Sequence, residues 1–215
     1  MNPVADEINS AIAVLADQSV APLRTVRRTY SKRLRPAPGR DVIATALELR
    51  KRGGLSRHFI ACELVRHHPA APGALTAKDL EQFGSGLDSW VAVDVFATYL
   101  SGPAWREGRV TDAWIRSWAD SSDRWRRRVA LVSTVPLNSR TQGGAGDPAR
   151  TLKVCAWLVE DRDEMVVKAL SWALRELSKR DPAPVRAFLR REAKRLAPRV
   201  LREVGNKLRT GKKNP

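Results

Sequence analysis

Trp90 and Asp94 stand four residues apart in the segment SWVAVDVFATYL, and on a helix that spacing puts them on one ribbon. Helical residues turn by about 100° each, so the apolar stripe of this segment runs through Val91, Val95 and Tyr99, with Phe96 beside it. Trp90 and Asp94 fall off that stripe. In MVVKALSWALREL the stripe is Val166, Leu170, Ala173 and Leu177, and Trp172 lies roughly 130° from its centre. In DRWRRRVALV, Trp125 aligns with Val129 and Val132 and reads as packing, while Arg124 and Arg128 project together on an adjacent face. Trp114 and Trp118, also four apart, read as packing between helices.

A carboxylate near two indoles that the core does not claim, with arginines alongside, suits a cationic sugar on an anionic backbone. An N3- or N7-alkylated purine carries a positive charge that weakens its glycosidic bond, so cleavage through an oxocarbenium-like state needs mainly electrostatic support. The carboxylate supplies that support and orients water. Indole faces favour cationic or polarised C–H groups, and arginine holds phosphate bidentately. The same residues also have an ordinary use: an aspartate on a basic helix pairs with surface cations, and off-stripe tryptophans fill contacts between neighbouring helix pairs. Spacing alone does not choose between these readings.

Other chemistries lack their motifs. There is no GxxxxGK[ST], HExxH, paired CxxC or GxSxG, so nucleotide hydrolysis, zinc proteolysis and serine hydrolysis have no support. No metal or cofactor is expected. Cys62 and Cys155 read as buried thiols in a reducing compartment. His58, His67 and His68 fall at a helix start and end, where surface positions are expected.

The elements that must position these residues are helices. Apolar residues recur at three- and four-residue spacing, and period-two alternation is hard to find. Gly- and Pro-rich punctuation predicts helices near 3–17, 20–35, 40–52, 55–67, 76–82, 87–101, 109–119, 122–135, 147–160, 163–179, 184–195 and 198–209. Short connections imply antiparallel pairs repeating every 35 to 45 residues, roughly, the pattern of a HEAT-like solenoid; an irregular bundle is the alternative. The expectation is one all-α domain over 1–215 with a concave basic groove, a loop tip near 136–147, and a solvated basic tail at 208–215.

Lysine and arginine number 39 against 23 acidic residues, a formal charge of +16, which calls for a polyanionic partner. The amino-terminal segment has no positively charged leader pattern, and no apolar run approaches a membrane span, so a soluble, cytoplasmic, nucleoid-associated monomer is expected.

In the order SWVAVD (89–94), RWRRRVALV (124–132) and VVKALSWALRELSKRDP (166–182), the chain resembles the AlkD-like alkylpurine DNA glycosylases, the HEAT-like repeat family of DNA alkylation repair enzymes. The likeness is strong over roughly 85–180 and weaker in the amino-terminal third. It implies Asp94 as the catalytic aspartate, Trp90 and Trp172 packed against the lesion's deoxyribose, and Arg128 on the DNA backbone. Arg124, Arg127, Lys168 and Arg175 are the further candidates for contacts to DNA. The implied reaction is hydrolysis of 3-methyladenine and 7-methylguanine type lesions from double-stranded DNA without base flipping. Glu164 and Met165 replace the family's aromatic residues before the KAxxW motif. The rival reading is a non-catalytic helical-repeat protein binding nucleic acid through a basic face.

Overall fold

The computed structural model describes residues 2–215, and all regular structure among them is helical. In chain order the elements are α1 (Pro3–Ala13), α2 (Val20–Leu34), α3 (Gly39–Lys51), α4 (Leu55–His67), the single turn α5 (Ala71–Ala74), α6 (Ala77–Gly84) and α7 (Trp90–Phe96). A π-helical stretch, Ala97–Ser101, carries α7 into α8 (Gly102–Arg106). Then come α9 (Asp112–Ala119), α10 (Arg124–Val132), the turn α11 (Val135–Asn138), α12 (Pro148–Trp157), α13 (Glu164–Ser178), α14 (Pro182–Arg191) and α15 (Pro198–Thr210).

Six pairs begin at α1, α3, α6, α9, α12 and α14, spaced 34 to 38 residues apart. The second helices, α2, α4, α7, α10, α13 and α15, pack each on the next and form one layer; α3 bridges α1 to α6, and α12 bridges α9 to α14, in the other. This is the helical-repeat architecture expected from linker lengths. Its physical logic is that no pair can bury its apolar stripe alone, so stacking makes one continuous core.

Short polar residues start the helices that matter most. Ser89, Asp123 and Asp163 cap α7, α10 and α13, their side chains accepting from Ala92 N, Trp125 N and Met165 N. Thr76 and Asp79 form a reciprocal capping box on α6.

The helix that begins at Trp90 runs further than expected, to Arg106. Pro103 has no N–H to donate, and the π-helical turn ahead of it absorbs the mismatch. At Gly102 a side chain would meet the Ser133 carbonyl oxygen at 2.6 Å, so a glycine lets this helix press against the end of α10.

Several expectations need correction. The buried face of α7 is centred on Val93 and Phe96, continuing through Ala97 and Leu100, rather than on Val91 and Tyr99, which are half-buried. His58 and His68 are buried, not surface groups; only His67 is exposed. The 136–147 stretch is a pinned loop rather than a tip. Asn138 donates to Thr134 O and Thr151 Oγ1 and accepts from Asp147 N, while Arg180 Nε reaches Asn138 O at 2.9 Å. Gly144 sits so close to the Pro136 and Leu137 carbonyls that a side chain there would collide with them.

The 208–215 segment, expected to be solvated, continues α15 to Thr210 and turns back at Gly211, in the left-handed region, so that Lys213 Nζ comes 3.3 Å from Glu203. No helix among the described residues is long and apolar enough to cross a membrane.

Candidate active site

Asp94 lies one turn into α7, and Arg128 one turn into α10, the next helix of the same layer. The two meet side-on: Arg128 Nε donates to Oδ1 at 3.0 Å and Nη2 to Oδ2 at 2.9 Å. The remaining arm, Nη1, donates to the Met165 carbonyl in the first turn of α13 at 2.6 Å. One guanidinium thus ties three helices to one carboxylate. The resemblance assigns Arg128 to the DNA backbone; here the side chain is 6% exposed and its three nitrogens are engaged within the protein.

Asp94 keeps an open side. Its side chain is 17% exposed and faces a cleft of about 400 Å³ walled by Trp90, Met165 and Trp172. Burial pushes the carboxyl above the ordinary aspartate value, and the bonds and charge of Arg128 pull it back only in part. The result is a carboxylate that is poorly hydrated, more basic than usual, and fixed in direction.

Trp90 is 54% exposed, unusual for the largest apolar side chain, and stands at the cleft mouth. Trp172 on α13 is half-buried and forms another wall, while its stripe partners Val166, Leu170, Ala173 and Leu177 are fully buried, as helix geometry predicts. The other tryptophans are packing. Trp105 and Trp118 are buried outright, Trp114 leans on Trp118 with ring centroids 5.2 Å apart, and Trp125 packs partly buried on the core.

The start of α7 is also held from behind. His58 Nε2 contacts the Ala92 carbonyl at 3.0 Å, a bond that requires the proton on Nε2. Burial, then the nearby Arg50 charge, lower this imidazole to about 4, so it is neutral at physiological pH.

Cations rim the cleft. Of the four further candidates, Lys168 and Arg175 line it; Lys168 pairs with Glu164 at 2.7 Å, and Arg175 bonds Ser171 Oγ at 3.2 Å. Burial holds Arg175 below the ordinary arginine value, its guanidinium being partly desolvated. Arg124 and Arg127 do not line it. Arg124 stacks over Trp125 and comes 3.6 Å from Asp163. Arg127 braces a loop, bonding Asp161 at 2.6 Å and the Ser121 and Ser122 carbonyls.

Three lining residues went unremarked as site residues in the sequence: Met165, Arg199 and Lys213. The last two are organised by Glu203 on α15, which accepts from Ser171 Oγ at 2.6 Å, Arg199 Nε at 2.8 Å and Lys213 Nζ at 3.3 Å. Burial alone would push Glu203 up, but these bonds outweigh it and hold it low. The signal available in the sequence was a glutamate in register with Val200 and Val204 on an otherwise basic helix. Among the described residues, no His, Cys, Asp and Glu side chains cluster as metal ligands.

The arrangement joins a fixed, desolvated anion, two aromatic walls and a cationic rim. It can stabilise a positively charged carbon held on a polyanion. The family model for DNA alkylation repair enzymes matches residues 18–208. Among solved structures, a predicted DNA alkylation repair enzyme from Enterococcus faecalis superposes with a TM-score of 0.71, covering 97% of this chain and 96% of that one at 16% identity, a likeness of fold. No curated protein matches the chain.

Proposed function

Because this chain belongs to the DNA alkylation repair enzyme family, we propose that it is an AlkD-like monofunctional glycosylase that hydrolyses cationic alkylated purines from double-stranded DNA. The observation that carries this reading is the Asp94 carboxylate, clamped by Arg128 and open to a cleft between Trp90 and Trp172. In the reaction the bond between C1′ and the purine breaks, and its electron pair neutralises the charged base, which leaves. Asp94 stabilises the oxocarbenium-like sugar and takes a proton from the water that adds to C1′. Trp90 and Trp172 pack against the deoxyribose, and Lys168, Arg175, Arg199 and Lys213 contact the flanking phosphates.

Arg128 acts through Asp94 rather than on the backbone: it sets the carboxylate's direction and keeps it ionised. The open form of the cleft supports cleavage of 3-methyladenine and 7-methylguanine type lesions without extruding the base into a closed pocket. Labile lesions need no such pocket, because their own charge weakens the bond. The protein would act in the cytoplasm on nucleoid DNA, as a monomer and without a metal.

The test is release of free methylated purines from alkylated duplex by the wild type and by Asp94→Asn. The expected result is a loss of roughly a hundredfold or more in rate with duplex binding retained, since phosphate contacts dominate affinity. One observation favours a second reading: pairing with arginine is also what a purely structural aspartate does. A non-catalytic nucleic-acid-binding repeat protein would bind duplex, release no base and be indifferent to Asp94→Asn.

A further inference from the structure

A second cleft, of about 530 Å³, opens where α2 and α4 end, lined by Ser31, Lys32, Arg35, Arg66, His67 and His68. It contains no carboxylate. Of the arginines of α2, Arg24 and Arg27 pair with Glu63 and Arg33 with Glu7, while Arg28 makes no ion pair among the described residues. Lys32, Arg35 and Arg66 make no ion pair among the described residues; Arg66 lies over the Tyr99 ring, 4.2 Å from its centroid. Cations at helix ends complement the macrodipole, so charge by itself would be unremarkable here.

Two buried groups change that. His68 Nδ1 accepts from the backbone N–H groups of Ala70 and Ala71 at 3.2 and 3.0 Å, which leaves the ring proton on Nε2. This Nε2–H has no acceptor, although the side chain is only 6% exposed, and Ser31 Oγ is likewise buried and unpartnered. A buried donor is destabilising unless something accepts from it. Both groups border this acid-free cleft.

We propose that this cleft binds a phosphate group, with His68 Nε2–H and Ser31 Oγ–H as fixed donors and Lys32, Arg35 and Arg66 supplying charge. Shared walls point to the source. Arg66 also lines a cleft with Tyr99 and Gln142; Gln142 borders the next one, which reaches Trp172; and Trp172 walls the Asp94 cleft. The four clefts therefore adjoin in sequence, from the α2–α4 end to the active cleft. A polyanion lying along them would place one phosphate at His68 while another segment passes Asp94. That source, a nucleic-acid backbone, rests on the proposed function; a free phosphate is the other source of the same chemistry.

Imidazole ¹⁵N spectra of the whole protein report on His68 directly, during titration with inorganic phosphate and, separately, with an undamaged duplex. Both are expected to move the His68 Nε2 resonance. Ser31→Ala combined with Arg35→Ala is expected to weaken duplex binding roughly tenfold and to lower the slope of log affinity against log salt by about one unit. A response to phosphate but not to duplex supports the pocket and assigns it to free phosphate. No response to either overturns it. Ser31→Ala alone is the folding control: deleting an unpartnered buried hydroxyl should leave Tm unchanged or raised, so weaker binding would not reflect unfolding. The duplex carries no lesion, so a failure of base release, fatal to the glycosylase reading, leaves this result standing.

Discussion

Arg128 and Asp94 form a two-pronged ion pair across the α7–α10 interface, at 3.0 and 2.9 Å, with the third arm of the guanidinium on the Met165 carbonyl. The pair joins the stability of the helical layer to the chemistry of the cleft, and the two can be measured apart.

Removing the arginine leaves a largely buried carboxylate without its counter-charge. Arg128→Ala is expected to destabilise the fold by about 3 kcal/mol in urea unfolding and to cut base release at neutral pH. Arg128→Lys keeps the charge but loses the fork, so it should recover stability better than activity. Equal recovery of both would show that the fork has no role in orienting Asp94.

Asp94 must be ionised to stabilise a cation. Burial raises its carboxyl above the ordinary aspartate range, so the acid limb of the pH–rate profile should have its midpoint above that of an ordinary aspartate. Arg128 opposes that rise. In Arg128→Ala the midpoint should therefore move to still higher pH; a shift to lower pH would contradict the assignment.

His58 predicts a separate, structural pH dependence. Its folded value, about 4, lies below the ordinary 6.5, so as pH falls the unfolded chain takes up the proton first. The stability it contributes is complete above about pH 6.5 and is lost between 6.5 and 4, a change of roughly 3 kcal/mol. Unfolding free energies measured across that window should show a shallower slope in His58→Gln than in the wild type.

Trp90 offers a clean division of roles. Because its indole is largely exposed, Trp90→Ala should change stability by less than about 0.5 kcal/mol while slowing base release severalfold or more. Unaltered release would remove Trp90 from the site.

Arg127→Ala should do the reverse. Its guanidinium ties Asp161 to the Ser121 and Ser122 carbonyls, so its loss should lower Tm by a few degrees and leave duplex affinity and base release essentially intact. A marked loss of affinity with unchanged Tm would restore Arg127 as a DNA contact.

By itself the sequence determined what depends on local periodicity and chemistry. The 3.6-residue pattern specified helices; the polar and Gly/Pro punctuation set a repeat of roughly 35 to 45 residues, which packing narrows to 34 to 38; and angular position separated Trp172 from Val166, Leu170, Ala173 and Leu177. Each follows from neighbours a few residues away. The stripe of α7 was misplaced because tertiary contacts with α4 and α10, not the helix's own amphipathicity, decide which side is covered. What only the tertiary structure decided was partnership across the layer. Arg124, Arg127 and Arg128 are indistinguishable as charges on one helical turn, yet one stacks on Trp125, one braces a loop and one clamps Asp94. Asp161 and Asp94, the carboxylates that Arg127 and Arg128 find, each lie 34 positions away; Lys213 reaches the cleft only because the chain turns back onto Glu203, and the unmet donor of His68 is visible only once its ring is packed. Local spacing encodes which face of a helix is apolar, whereas the pairing of a charge depends on which helices the packed layer sets beside it.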